Sequence, residues 1–405
     1  MLAGFAKGVS RLTNFSTGAD PHSSLACMEA MGAKVELEGA AISVTGTGGV
    51  LLQPEGDLDC GNSGSTMRML AGLVAAQRGV YRFVGDESLT VRPMERIRRP
   101  LEAMGARIHL TGPEGSGHAP MTVHGGELRA IDFEAPIASA QVKTAVLFAG
   151  LQASGTTSFA ESVRTRDHTE HALRAFGVEL ERRGERVYIE GGQKLRAIDA
   201  SVPGDMSSAA FFLCAALLFE DSNLVLDLLG MNPTRATLLD AISAMGGTIK
   251  VLDVQEQHGE MSGTIQVNAA PAAAPSTALR IEGALTAQLI DELPVLAAIA
   301  PYTRGGVSIR DAKELRVKES DRIALVAKNL EAMGAEFTEF EDGLDVPGGQ
   351  TLHGATIDSG TDHRIAMAFS IAALRASSES VIDGAEAAGI SFPEFYEKLA
   401  MLCPS

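Results

Sequence analysis

Tryptophan is absent from the 405 residues, and all aromatics together make up only 5%. A core must then be filled by aliphatic side chains and close backbone approach, which 43 glycines permit. Cysteine is scarce: Cys27, Cys60, Cys214 and Cys403, none in a Cys-x-x-Cys pair. That excludes a disulfide framework or a structural zinc ribbon and reads as reduced, cytosolic thiols. Positive charge is in deficit, with 34 Lys and Arg against 51 Asp and Glu, a net charge of −17. Nucleic acid and anionic membrane are excluded as main partners, while a local basic site is not. Long apolar runs are missing too. The longest, AAFFLCAALLF (209–219), falls far short of the ~20 residues of a membrane span. No secretory signal opens the chain, because Lys7 follows the first apolar residues instead of preceding them. Gly-x-Ser-x-Gly, Gly-x-Gly-x-x-Gly and P-loop lysine patterns are absent, which demotes hydride transfer and nucleotide hydrolysis.

What is present is a repeat. EAMGAKVEL (29–37), EAMGARIHL (102–110), RAFGVELER (174–182), SAMGGTIKV (243–251) and EAMGAEFTE (331–339) share one pattern. Each predicts a helix closed by a glycine just past its end, then a strand. The glycines, Gly32, Gly105, Gly177, Gly246 and Gly334, are 73, 72, 69 and 88 residues apart. A further helix, 392–402, stands where a sixth copy would end. Modules of about 70 residues are too large for a solenoid and suit α/β units that pair into larger domains.

Upstream of each phrase a polar cluster leads into an alanine-rich helix: GNSGSTMR (61–68), ASAQVK (138–143), PGDMSSA (203–209), QLIDELP (288–294) and GTDHRIA (360–366). These helices are apolar on nearly all sides and are predicted to be buried. A buried helix with a polar first turn offers free N–H groups and a partial positive charge to an anion. Only the first module lacks its cluster: MLAGFAKGVSRLTNF (1–15) aligns with MLAGLVAAQRGVYRF (69–83), directly after Arg68. By this internal comparison a strand and a polar turn are expected before Met1.

LRVKESDRI (315–323) holds Lys318 and Arg322, a like-charge pair at i,i+4 if helical, so an anion is expected opposite them. Glu319 lies beside them, placed for proton transfer. Arg92, followed by Pro93, fits a loop where a guanidinium forks onto phosphate or carboxylate. In RDHTEH (166–171), Asp167 is expected to cap a helix with Glu170 completing a capping box, a better account of His168 and His171 than a metal site.

GNSGSTMR, VRPM, RDHTE, PGDMSSAAFF, RVKESDRI and DHRIAMAFS, in this order, resemble the 5-enolpyruvylshikimate-3-phosphate (EPSP) synthase family, over Met1 to about Leu402. The resemblance implies an α/β (α+β) fold of two domains, each of three βαβαββ units, with buried helices pointing into a cleft between domains. The expected boundaries are 1–228 and 229–405, with a hinge near 225–235. The implied reaction moves the enolpyruvyl group of phosphoenolpyruvate to the 5-hydroxyl of shikimate 3-phosphate, releasing phosphate. No metal or organic cofactor is implied, and a cytoplasmic monomer with these two small-molecule partners is expected. Carried over by motif, Asn62, Gly64, Arg92, Gln141, Arg322 and Arg364 would hold phosphoenolpyruvate. Ser139, Ala140 (through its backbone), Gln141, Arg166, Asp291 and Lys318 would hold shikimate 3-phosphate. Asp291 would accept the hydroxyl proton and Glu319 would protonate the enol carbon.

Two departures stand out. The family's lysine before its last Phe-Pro is replaced here by Ile390 and Ser391. Its first motif, Pro-Gly-x-Lys-Ser with a following arginine, would lie upstream of Met1. A misassigned start is the preferred explanation, predicting a native mass above 42.4 kDa and poor turnover by the chain as given. The alternatives are UDP-N-acetylglucosamine enolpyruvyl transferase, against which no matching reactive cysteine is found, and an inactive binding paralogue.

Overall fold

A computed structural model describes residues 1–112, 117–269 and 275–403. The chain folds as two compact units, 1–202 and 203–405.

The first unit contains three four-stranded sheets with one shared plan. In the second of them, Leu58–Asp59 lies parallel to Gly79–Val84, which pairs antiparallel with Met121–Gly125, itself antiparallel to Arg107–Leu110. The third repeats this with Asp132–Ala135, Thr156–Glu161, Arg186–Glu190 and Leu180–Arg183. In both, a buried helix links the parallel pair, Gly64–Val74 in one and Ala140–Gly150 in the other. This is the βαβαββ order that the family resemblance implies, on the modules that the sequence repeat marks. The first sheet closes differently: the parallel neighbour of Lys7–Thr13 is Asp199–Ser201, nearly two hundred residues along the chain. The join is tied by Asn14 Nδ2, which donates to the Val202 carbonyl at 2.7 Å.

The predicted helix ends are where the repeat puts them. Helices Ala19–Ala30, Glu95–Met104, His168–Ala175, Thr237–Ala244 and Arg322–Ala332 are each followed within two residues by the expected glycine. All five glycines have positive φ, between 79° and 117°, the left-handed turn that ends a helix at least cost. Another glycine explains how a core without tryptophan closes. A Cβ on Gly72 would lie 2.1 Å from the Ala145 carbonyl oxygen, so the two buried helices of this unit pack backbone to backbone.

The second unit has a three-stranded antiparallel sheet (Asn223–Gly230, Glu260–Ala269, Gly247–Gln257) and a four-stranded one on the common plan (Leu279–Ile281, Gly306–Ile309, Gly343–Pro347, Thr338–Phe340). A parallel pair, Thr356–Asp358 with Val381–Asp383, completes it. Its buried helices are Met206–Leu217, Leu293–Ile299 and His363–Ala373. The division therefore falls at 202/203 instead of 228/229, and residues 225–230 are strand instead of hinge. The reason is packing: Met206–Leu217, with ten of its twelve residues buried, lies against Asn223–Gly230 and against the other two buried helices of its own unit. The last helix, expected over 392–402, runs from Phe395 to Leu402.

Candidate active site

The predicted site residues fall into two groups, one in each unit. In the first, the turn before Gly64–Val74 is built by Ser63, whose hydroxyl accepts the Thr66 N–H at 3.2 Å. That cap leaves Asn62 and Gly64 at the helix start. Asn62 is held from both ends: its amide donates to Asp86 Oδ2 and its carbonyl accepts from Arg92 Nη2, both at 2.8 Å. The Asp86 carboxylate also caps the next short helix by accepting the Leu89 N–H. Arg92, 6% exposed, takes a second acceptor in Ser88 Oγ at 2.9 Å. A Cβ on Gly64 would lie 2.8 Å from Arg68 Nη1 and 3.4 Å from Arg92 Nη1, so a larger residue there would displace the guanidinium tips. Arg68, 8% exposed, donates to Gln141 Oε1 at 2.8 Å, and Gln141 donates to Ser65 Oγ at 2.8 Å. Sequence reasoning left Arg68 without a role, yet it is the link that joins the start of one buried helix to the next. Ser139 caps that next helix through the Val142 N–H at 3.4 Å, which sets Ala140 as its first residue. Arg166 lies on the loop between Thr156–Glu161 and His168–Ala175, half-buried.

One turn below, Lys143 is fully buried and bridges Glu161 at 3.1 Å and Glu170 at 3.0 Å, with Arg182 at 3.6 Å from both carboxylates. This corrects the expected capping box. Asp167 makes no side-chain cap, pairing instead with Arg164 at 2.6 Å and facing His171 at 3.6 Å, and Glu170 turns inward to the Lys143 ammonium. A buried ammonium outcompetes a helix-end N–H that water can serve.

The second group is charge-dense. Arg322, 1% exposed, is forked onto Asp362 through Nε (2.8 Å) and Nη2 (3.2 Å). It also pairs with Glu319 at 2.7 Å and lies 3.7 Å from Asp291. Lys318 reaches Asp291 at 3.5 Å, and Arg364 Nη1 donates to the Asp291 backbone carbonyl at 3.0 Å. Lys318 and Arg322 do not share a helical face, as the sequence suggested. The helix starts at Arg322 with Asp321 as its cap, and Lys318 ends a preceding 3₁₀ turn. They still converge on Asp291, so the anion expected opposite them is supplied, by Asp291, Glu319 and Asp362. Asp362 went unassigned in the sequence. Its signal was an acidic residue at the head of a buried helix, and it caps that helix at the Arg364 N–H (2.9 Å) while accepting from Ser320 Oγ (2.9 Å).

Burial alone would raise the Asp362 carboxyl, but the Arg322 guanidinium holds it well below the usual carboxylate range. Arg322 is correspondingly raised: its three carboxylates outweigh the desolvation that would lower it. His363 is pushed down to about 4, by burial first and then by the neighbouring Arg364. Its Nδ1 is buried without a hydrogen-bond partner, consistent with a neutral ring.

Paired arginines and carboxylates at the starts of buried helices, on repeated βαβαββ modules, define an enzyme of the enolpyruvyl transferase fold. The solved structure of the enolpyruvyl transferase NikO from Streptomyces tendae superposes with a TM-score of 0.77 over 99% of this chain and 90% of its own, at 20% identity. The sequence model of EPSP synthase (3-phosphoshikimate 1-carboxyvinyltransferase) matches residues 1–399, and the chain belongs to that family. It is 59% identical over 400 residues to the 3-phosphoshikimate 1-carboxyvinyltransferase of Koribacter versatilis, covering 98% of this chain and 92% of that protein. The enzyme of the same name from Solibacter usitatus is 51% identical, with 98% and 92% covered. EPSP synthase from Acinetobacter baumannii superposes with a TM-score of 0.85 at 38% identity, over 99% of this chain and 91% of that one.

Proposed function

We propose that this enzyme, a 3-phosphoshikimate 1-carboxyvinyltransferase, uses the two clusters in distinct roles. The supporting observation is that Asp291 and Glu319 meet on one buried arginine, beside two further cations, in a chain of the EPSP synthase family. Asp291 takes the proton of the 5-hydroxyl of shikimate 3-phosphate as that oxygen attacks C2 of phosphoenolpyruvate, and Glu319 delivers a proton to C3. The product keeps the vinyl group, so the same carbon then loses a proton as the C2–O bond to phosphate breaks. Asn62, Gly64, Arg92, Gln141, Arg322 and Arg364 serve phosphoenolpyruvate. Ser139, Ala140, Gln141, Arg166, Asp291 and Lys318 serve shikimate 3-phosphate. An anion seated on Arg322 takes the place that Glu319 holds. A carboxyl released from its cation keeps a proton more readily, which suits it to act as the acid. The enzyme works as a cytoplasmic monomer. Its cysteines are unpaired thiols, and no described helix is long and apolar enough to cross a membrane.

The test is phosphate release with phosphoenolpyruvate and either shikimate 3-phosphate or UDP-N-acetylglucosamine as acceptor. Turnover is expected with shikimate 3-phosphate only. Asp291→Asn and Glu319→Gln should each lower kcat by about 10²–10⁴-fold, the usual weight of a general acid or base. Turnover with the nucleotide sugar alone, or full rates in both variants, would reject the assignment.

A further inference from the structure

Asp291 sits on a four-residue turn, Leu289–Glu292, between the helices Ala284–Leu289 and Leu293–Ile299. On one side it is met by Lys318 and Arg322, 3.5 and 3.7 Å from its carboxylate, and by Arg364 Nη1, which donates to its backbone carbonyl at 3.0 Å. A second set of contacts holds the turn from its other side. Glu292, the next residue, is only 2% exposed and accepts a hydrogen bond from Ser207 Oγ. Arg235 Nη2 donates to the same Ser207 oxygen and lies 3.0 Å from Asp205 and 3.8 Å from Glu292. Three residues before Asp291, Gln288 Oε1 accepts from Thr237 Oγ1 at 3.0 Å. Arg235 and Thr237 belong to one segment. Its bend is fixed by Asn232, whose carbonyl oxygen accepts from the Thr234 N–H (2.8 Å) and hydroxyl (2.6 Å), and whose amide donates to Glu260 (2.9 Å).

We infer that the 232–237 segment is a clamp for the reaction's base, with Arg235 its principal positioning residue. It grips the Asp291 turn one residue after the base, through Glu292 and Ser207, and three residues before it, through Gln288. The inference rests on the assignment of Asp291 as the base. Arg235 is not among the residues assigned to either substrate. It acts by keeping a buried carboxylate compensated and in place, so that its neighbour in the chain points correctly. Misplacing a reacting group by about 1 Å costs around 10²-fold in rate, and a buried carboxylate stripped of its cation is repelled from nearby carboxylates and raises their proton affinity.

The test is steady-state kinetics of the full chain over pH, beside thermal melting of each variant. Arg235→Gln is expected to lower kcat about 10–10²-fold, with KM for both substrates nearly unchanged and the acid limb of the kcat profile moved to higher pH. Arg235→Lys should recover most of the rate and the original acid limb, because the compensating charge returns. Thr237→Val and Ser207→Ala each remove one hydrogen bond and should lower kcat about fivefold to tenfold, near the worth of a single bond. They provide the answer if Arg235→Gln fails to fold. A parental kcat and pH profile in the folded variants would overturn the clamp. So would a loss confined to KM. A parental rate in Asp291→Asn would instead remove Asp291's role as base, and the inference with it.

Discussion

The two clusters of arginine solve the burial of charge in opposite ways. In the first unit, Arg68 donates to Gln141 and the Pro93 carbonyl, and Arg92 to Asn62 and Ser88, with the Asp86 carboxylate on the other side of the Asn62 amide. In the second, Arg322 is met by three carboxylates, and Lys318 and Arg364 bring the local count to three cations and three anions. Amide and hydroxyl acceptors satisfy N–H groups without competing, as carboxylates do, with an incoming phosphate or carboxylate for the guanidinium charge. The second cluster has no net charge to offer, and an anion must exchange with Glu319 or Asp291 to reach Arg322. The first arrangement suits binding and the second suits moving protons, because exchange of partners is what changes a carboxyl's affinity for a proton. The first unit does bury an ion cluster, Lys143 with Glu161, Glu170 and Arg182, but it lies one helical turn deeper.

Replacing one arginine on each side would break or uphold this contrast. Arg322→Gln leaves Asp362 buried with no cation, and should cost about 3–5 kcal/mol of stability, as removal of one partner of a buried pair does. Arg92→Gln leaves the Asn62 carbonyl and the Ser88 hydroxyl short of a donor, and should cost about 1 kcal/mol. Activity should fall about 10²–10³-fold in both, because each loses a cation aimed at developing or transferred negative charge. Urea melts of the two full-length variants give the comparison. Equal losses of stability would mean that the Arg322 carboxylates are as undemanding as amides, and the contrast would fail.

How much of this was legible beforehand divides along the same line. The repeat fixed the modules, the five helix-ending glycines and the buried helices, because turns and apolar faces are local properties that each copy states again. The charge pattern singled out Lys318, Glu319 and Arg322, the resemblance added Asp291, and the structure brings them together. What sequence could not reach was pairing over long range. Arg68 reads as the tail of a motif until Gln141 is seen 73 positions away at 2.8 Å. Asp362 reads as a cap until Arg322 is seen forked onto it. Glu170 read as half of a capping box, since nothing local announces that Lys143 will be buried beside it. The domain boundary was misplaced for the same reason: Met206–Leu217 is covalently adjacent to the first unit, and only packing assigns it to the second.

A pH titration sharpens the contrast next. His363 faces Arg364, Asp362, Arg322 and Glu319, and is depressed from an ordinary 6.5 to about 4. Between these values the unfolded chain binds a proton that the folded chain refuses. The contribution is therefore intact above pH 6.5 and is lost as pH falls from there toward 4. A fall from 6.5 to about 4 corresponds to roughly 3 kcal/mol. Asp362 works in a different window, since its depressed carboxyl contributes stability above its ordinary 3.8 that is lost only below it. His363→Gln should flatten the stability profile between pH 6.5 and 4 and leave the slope below 3.8 in place. An unchanged profile would show that the ring takes up its proton in the folded state without penalty.

The smallest effect tests the first cluster's neutrality. Asn62→Ala removes the amide that spans Asp86 and Arg92 but no charge. If the cluster is a preformed anion receptor, Arg92 keeps Ser88 as a partner and its field is undiminished. Stability should then drop by about 1 kcal/mol or less, with KM for phosphoenolpyruvate rising severalfold and kcat little changed. Asn62→Asp is the sharper companion. It keeps the shape but gives Arg92 a carboxylate, converting this cluster toward the kind in the second unit, where substrate must compete with an internal anion. It should weaken phosphoenolpyruvate more than Asn62→Ala does, although it restores a hydrogen bond that alanine lacks. If the aspartate variant bound phosphoenolpyruvate as well as the parent, cancelling the local charge would be harmless, and the difference between the two clusters would be one of composition without consequence.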